Sequence, residues 1–171
     1  MSSGMSVCVV YNVYVLSMIC LVLDSLRSAH NVGSFFRSAD CFAVDKIFLT
    51  GITPSPLTHD LAKTALGAEL SVPWRHYADS AHLLADLQRS NYQIVVIELV
   101  ETALPLWQLV DALDLQDRNV AIVFGAETTG VSQIWLDHAD FIFKIPMLGV
   151  KESLNVAVVC GIVLYELRRG F

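Results

Sequence analysis

The sequence predicts an α/β domain with a mostly parallel sheet flanked by helices. Segments with strand character alternate with segments of helical periodicity along the chain. Two apolar runs, Gln93–Leu99 and Asn119–Phe124, are compact enough to be strands buried on both faces. The chain has 171 residues, 54% of them hydrophobic and 16% charged, which excludes a disordered protein. No linker, repeat or low-complexity segment divides it, so we expect one domain.

In the first half of the chain, the predicted elements are bounded by residues that interrupt regular structure. Asn31 is a suitable cap for a helix that starts at the next residue. Gly51 and the proline-containing segment after it end a strand, and Gly67 closes a short helix. The predicted elements are a strand at Leu21–Leu23, a polar turn from Asp24 to Asn31, a helix at Val32–Phe42, a strand at Lys46–Thr50, a helix at His59–Leu66 and a strand near Val72–Trp74.

In the second half, apolar spacing defines the elements. Ala81, Leu84 and Leu87 share one side of a helix, and the runs on either side of it are apolar and short, as strands are. The predicted elements are a helix at Ser80–Ser90, strands at Gln93–Leu99 and Asn119–Phe124, a helix at Ser132–His138, a strand at Asp140–Ile145 and a closing helix at Leu154–Arg169.

Charge and cysteine content narrow the function classes. The net charge of -6, from 11 Lys and Arg against 17 Asp and Glu, argues against a broad basic surface that coats nucleic acid. It leaves room for a local site with a few basic groups. The cysteines lack CxxC spacing and a His at ligand spacing, so we expect buried free thiols in a reducing cytoplasm and no metal site. They are Cys8, Cys20, Cys41 and Cys160.

The N-terminal segment admits two interpretations. Met5–Leu23 contains no charged residue and is nearly long enough to cross a bilayer. Asn12 and several Ser and Tyr residues interrupt it, and no basic flank precedes it. A strand therefore fits better than a membrane anchor, which stays an alternative. We predict that residues 1–20 form an apolar N-terminal extension or the first strand, and that residues 21–171 form the single domain.

Three polar clusters follow predicted strands, at the sheet edge where α/β proteins bind ligands. They are Asn31–Arg37, Gly125–Gly130 and Ile145–Asn155. Taken singly, each also fits a helix cap or a strand-to-helix turn. The Gly125–Gly130 cluster could let a nucleoside approach the backbone. It lacks the Lys of a P-loop and the third Gly of a dinucleotide fingerprint, which excludes both of those sites.

Taken together, the clusters resemble the three motifs of the SpoU methyltransferases, members of the SPOUT superfamily. These enzymes methylate ribose 2′-hydroxyls of RNA with S-adenosylmethionine. The resemblance extends from about Leu21 to Arg169 and implies a homodimer with a shared active site and a C-terminal trefoil knot, the SPOUT fold. The matching residues are Asn31-Val32-Gly33 with Arg37, Phe124-Gly125-Ala126-Glu127 with Gly130, Ile145-Pro146-Met147 with Ser153-Leu154-Asn155-Val156, and Tyr165-Glu166.

The resemblance also implies roles for individual residues. Arg37 lies at the centre of catalysis, where a protonated guanidinium could relay a proton or stabilise the developing alkoxide. Asn31 would fix Arg37 and the substrate, Glu127 would orient the first cluster, and Ser153 and Asn155 would organise the site entrance. The expected cofactor-binding residues are Gly125, Ile145 and Leu154, with Ile97 and Glu98 as weaker candidates.

The resemblance therefore implies a cytoplasmic, metal-independent RNA 2′-O-ribose methyltransferase that uses S-adenosylmethionine. Small members of the family include enzymes of the tRNA anticodon loop, so tRNA is preferred over rRNA as substrate. Local basic groups such as Arg27, Arg37, Lys63 and Arg75 would contact the RNA. A catalytically silent RNA-binding SPOUT module is the main alternative, and a generic nucleotide-binding α/β protein is another.

Overall fold

The sheet is entirely parallel and confirms the predicted α/β class. A computed structural model describes residues 17–115 and 117–169. Its seven strands follow the order β3-β2-β1-β6-β4-β7-β5. The strands are β1 (Ile19–Asp24), β2 (Lys46–Thr50), β3 (Trp74–Tyr77), β4 (Tyr92–Ile97), β5 (Leu104–Pro105), β6 (Asn119–Gly125) and β7 (Phe141–Lys144). The helices are α1 (Ala29–Cys41), α2 (His59–Ala65), α3 (Ala68–Ser71), α4 (Ser80–Arg89), α5 (Leu109–Ala112), α6 (Gln133–Asp137) and α7 (Val156–Leu167), with a 3-10 turn at Leu106–Gln108.

Strand β6 lies between β1 and β4, and its register aligns the ends of all three strands. Asp24 of β1 is opposite Gly125 of β6, and Ile97 of β4 is opposite Phe124. Both β1 and β4 are buried along their whole length. Because parallel strands in this register end at one level, the loops that follow them meet at one edge of the sheet.

Two apolar cores cover the faces of the sheet. On one face α1, α2, α5 and α7 pack over the strands, with Phe35 edge-on to Phe124 at 5.0 Å between ring centroids. On the other face α4 and α6 pack around Trp135, which is fully buried. Trp135 is therefore a core residue and Trp107, at 60% exposure, is not.

Helix α1 begins earlier than predicted, and Asn31 is not its cap. Ser28 caps the helix, because its hydroxyl accepts a hydrogen bond from the backbone N–H of Asn31 at 3.2 Å. Asn31 lies inside the first turn, which leaves its side-chain amide available for other contacts. At the other end of the chain Asn155 does cap α7, accepting from the N–H of Ala157 at 2.8 Å.

Other differences concern short elements and one thiol. The strand predicted near Val72–Trp74 is β3, displaced toward the C-terminus because Val72 ends the unpredicted helix α3. Strand β5 and helix α5 were not predicted either. The described cysteines are all free thiols, but Cys41 is exposed, whereas the sequence predicts that it is buried. Burial raises the pKa of the Cys20 thiol to about 11, so it is protonated.

Within the described ranges, no helix is long and apolar enough to cross a membrane. No group of three or more His, Cys, Asp or Glu side chains in those ranges could hold a metal ion. The predicted N-terminal extension falls largely on residues 1–16, outside the described residues. The division at residue 20 and the trefoil knot stay predictions.

Candidate functional site

A cavity of about 270 Å³ opens at the carboxyl ends of β4, β6 and β7. Its walls come from the end of β4, the loop after β6 and the segment from Lys144 to Leu154. Each expected cofactor-binding residue lines it: Ile97, Glu98, Gly125, Ile145 and Leu154. Glu127 and Ser153 line it as well. The cavity therefore brings together residues from two of the three polar clusters.

A tight turn after β6 forms one wall of the cavity. Ala126 and Gly130 exchange two backbone hydrogen bonds, of 3.1 and 2.9 Å between N and O. A Cβ atom on Gly125 would lie 2.1 Å from the backbone N of Val131, closer than real Cβ atoms approach. Gly130 has φ +69°, a conformation that favours glycine. The Ala126–Gly130 turn thus requires both glycines of its cluster.

Two carboxylates hold the end of this turn from opposite sides of β6. Glu98, after β4, accepts from the N–H of Val131 at 2.9 Å. Asp24, at the end of β1, accepts from the N–H of Ser132 at 2.9 Å. Asp24 is 2% exposed and also accepts from the hydroxyls of Thr50 and Ser80. Sequence reasoning placed Asp24 in a polar turn and missed it, although a carboxylate directly after a buried strand was a usable signal.

A chain of side-chain hydrogen bonds joins all three polar clusters. The Nδ2 of Asn155 donates to the Oδ1 of Asn31 at 3.1 Å. The Nδ2 of Asn31 in turn donates to the Oε1 of Glu127 at 2.8 Å. We call this the Glu127–Asn31–Asn155 chain. It fixes the first turn of α1, the loop after β6 and the start of α7 relative to one another.

Glu127 also receives backbone donors from the start of α1. The N–H groups of Arg27 and Ser28 lie 3.2 and 3.3 Å from its two oxygens. Partial burial acts to raise the pKa of Glu127. Hydrogen bonds from its own backbone N–H, the Asn31 amide and these two N–H groups outweigh burial, so the pKa lies below its usual value. Glu127 is therefore an ionised acceptor beside a helix N-terminus.

Arg37 and Ser153 are placed differently from the hydrogen-bonded residues. Arg37 is on the exposed side of α1 and does not line the cavity, and its guanidinium makes no hydrogen bond or ion pair with the described residues. Ser153 lines the cavity and its side chain is exposed. The structure therefore links Asn31, Glu127 and Asn155, but it does not bring Arg37 to the cavity of its own chain.

Comparisons with known proteins agree on one family. The model of the SpoU rRNA Methylase family matches residues 18–165. The 23S rRNA (guanosine-2′-O-)-methyltransferase RlmB of Coxiella burnetii is 33% identical over 149 residues, 87% of this chain and 57% of the relative. The AdoMet-bound rRNA methyltransferase of Sinorhizobium meliloti has a TM-score of 0.82 at 25% identity, covering 90% of this chain and 57% of that one. A structure addressing 2-OH methylation of C or U at position 34 of tRNA has a TM-score of 0.76 at 24% identity, covering 90% and 95%.

The matches cover most of this chain but a smaller share of the Coxiella and Sinorhizobium proteins. The chain spans little more than half the length of the Coxiella and Sinorhizobium proteins. In this chain the family match extends from Met18 to Tyr165 and contains all three polar clusters. It also includes every residue of the Glu127–Asn31–Asn155 chain and every residue that lines the cavity. On that match, the chain belongs to the SpoU rRNA methylase family.

Proposed function

We propose that this protein is an S-adenosylmethionine-dependent RNA methyltransferase that acts on a ribose 2′-hydroxyl. The Glu127–Asn31–Asn155 chain is the observation that carries the proposal, because it assembles the three motif clusters beside one cavity. Membership of the family supports methyl transfer to RNA. The name of the Coxiella relative supports a 2′-O position.

The lining of the cavity fits this cofactor. Its volume of about 270 Å³ is slightly below the roughly 300 Å³ at which small-molecule sites begin. Ile97, Ile145 and Leu154 offer apolar surface for an adenine ring. The carboxylates of Glu98 and Glu127 offer negative charge for a cation. When bound, S-adenosylmethionine supplies an electrophilic methyl group on a sulfonium ion.

The chain's own residues would prepare the hydroxyl. A ribose 2′-hydroxyl is a poor nucleophile until its proton is removed or its developing charge is stabilised. The guanidinium of Arg37 stays protonated and would stabilise the developing alkoxide or relay the proton. Asn31, held on both sides by hydrogen bonds, fixes the start of the helix that carries Arg37. Ser153 and Asn155 would organise the site entrance.

The position of Arg37 supports action across a dimer. Arg37 is exposed on α1, and α1 packs against α7. On α7 the apolar side chains of Val158, Ile162 and Tyr165 follow one face and are 51%, 38% and 64% exposed. We propose that two copies pair over this face, and that Arg37 of one copy serves the cavity of the other.

The proposed substrate is a structured RNA. Exposed basic groups at Arg27, Arg37 and Lys63 lie on or beside α1 and α2 and would contact phosphates. The sequence prediction of tRNA and the rRNA named for the Coxiella relative point to different pools. The assay therefore includes both.

The decisive experiment is transfer of labelled methyl from S-adenosylmethionine to total tRNA and to rRNA. Wild type is compared with Arg37→Ala and with Arg89→Ala, a control in which the guanidinium pairs with Asp86 at the end of α4. We expect label in one pool, at one position resistant to alkaline cleavage, lost in Arg37→Ala and kept in the control. Cofactor binding without transfer to either pool would favour the silent RNA-binding module.

A mixing experiment tests the shared site. Arg37→Ala keeps an intact cavity, and Gly125→Val keeps an intact Arg37. If the site is shared, mixed dimers recover activity, because the intact cavity of one subunit is served by Arg37 of the other. No recovery in a mixture shown to exchange subunits would contradict the shared site.

A further inference from the structure

We propose that Glu98 makes the cavity selective for the positively charged cofactor over the neutral thioether left after methyl transfer. This inference rests on the proposed function. In the reaction the bond from carbon to sulfur breaks, a bond from carbon to the ribose oxygen forms, and the hydroxyl loses its proton. The electron pair that stays on sulfur removes its positive charge. A fixed negative charge in the cavity therefore distinguishes substrate from product by one charge.

Of the two described carboxylates that line the cavity, Glu98 has fewer groups that offset its negative charge. Three ionisable side chains line the described cavity: Glu98, Glu127 and Lys144. Glu127 accepts from an Asn amide and from two N–H groups at the start of α1. The ammonium of Lys144 donates to the backbone carbonyls of Val100 and Glu101, at 3.0 and 3.2 Å. No ion pair joins Glu98 to a cation among the described residues.

The Glu98 carboxylate is also fixed in position. One oxygen accepts from the N–H of Leu99 at 2.8 Å and the other from the N–H of Val131 at 2.9 Å. Gly130 packs so closely that a Cβ atom there would lie 2.4 Å from the second oxygen. A charge held in this way needs no rearrangement when a cation arrives, which is the condition for effective electrostatic selection.

The size of the effect follows from the placement. Glu98 is half-buried, and the cavity that it lines is partly open to solvent. A charge pair in such a place changes affinity by about threefold to fivefold. The preference should also decline as salt is added, because mobile ions screen a partly exposed pair.

The experiment measures Kd values of the full chain for S-adenosylmethionine and S-adenosylhomocysteine by titration calorimetry. Glu98→Gln keeps an oxygen that can accept from Val131 and removes the charge. Glu101→Gln makes the same change in charge three residues away, at an exposed residue that does not line the cavity. We expect Glu98→Gln to lose about threefold to fivefold of the preference for the sulfonium form. We expect Glu101→Gln to keep the wild-type ratio.

The outcomes separate this inference from the proposed function. If wild type binds neither ligand, the proposed function fails. If wild type binds both and Glu98→Gln weakens both equally, Glu98 only holds the turn and the inference is overturned. If Glu98→Gln does not fold, the salt series on wild type decides: a ratio that does not change between low and high salt also overturns it.

Discussion

Asn31→Asp is the sharpest test of the site, because it changes one donor into an acceptor without changing shape. In the wild type the Asn31 amide donates to Glu127 at 2.8 Å and its carbonyl accepts from Asn155 at 3.1 Å. An aspartate keeps the second contact. It replaces the first with two carboxylate oxygens facing each other.

The magnitude follows from two terms. Losing a hydrogen bond to the exposed carboxylate of Glu127 costs about 1 kcal/mol. Two unit charges about 4 Å apart repel by about 1 kcal/mol in water and about 4 kcal/mol at an effective dielectric constant of 20. Because Glu127 is exposed, the lower end applies. We expect Asn31→Asp to lower the free energy of unfolding by about 2 kcal/mol at pH 7.5.

The loss of stability in Asn31→Asp should decrease as the pH falls. In the wild type the lowered pKa of Glu127 contributes stability above its unfolded pKa, and this stability is lost as the pH falls through the folded pKa. In Asn31→Asp the two carboxylates raise the pKa of the pair, so the folded variant takes up a proton that the wild type does not. The difference in unfolding free energy between the two proteins should therefore be full at pH 7.5 and shrink toward pH 5.

Urea unfolding at pH 7.5 and pH 5, with Asn31→Ala as control, measures these differences. The control removes both hydrogen bonds without adding charge, so its penalty should change little between the two pH values. An Asn31→Asp penalty that is equal at both pH values, or smaller than that of Asn31→Ala at pH 7.5, would refute the reasoning.

Three further predictions concern the support of the site. Asp24→Ala removes the acceptor of Ser132, Thr50 and Ser80 and should lower the free energy of unfolding, measured in urea, by about 2 to 4 kcal/mol. Asp24→Asn can still accept hydrogen bonds and should lower it by about 1 kcal/mol. Equal losses in the two variants would contradict this role of Asp24. Gly125→Ala places a Cβ 2.1 Å from the backbone N of Val131 and should lower the free energy of unfolding by about 2 kcal/mol. It should also remove most of the affinity for the cofactor, measured by calorimetry. An affinity equal to that of the wild type would contradict the role of the turn in binding. Gly33→Ala places a Cβ 2.4 Å from the Leu61 carbonyl and should lower the Tm, and an unchanged Tm would show that the packing of α1 against α2 is misjudged.

The sequence predicted the sheet and the gathering of the clusters well, because both follow from one rule. Parallel strands such as Asn119–Phe124 are buried on both faces and have an unmistakable apolar signature. Once those strands were placed, the clusters after them had to meet at the edge where the cavity opens.

What could not be predicted depends on contacts between distant residues. Local propensity favours Asn as a helix cap and so predicts that role for Asn31, yet Ser28 is the cap and the Asn31 amide donates to Glu127. The two-residue strand β5 is too short to have a period. Asp24 looked like an ordinary turn residue, because only the tertiary structure shows which groups its carboxylate accepts from.

The Glu127–Asn31–Asn155 chain has a consequence for folding. Its outer contact joins residues 124 positions apart in sequence, and the contact to Glu127 spans 96. Contacts of such long range form late, since their loop-closure entropy must be met first. A polypeptide in which α7 has not yet docked contains Asn31 and Glu127 in place but lacks the contact from Asn155. Ligand binding during refolding should therefore appear with the slowest phase, and the ligand would stabilise the finished protein without accelerating the steps before it.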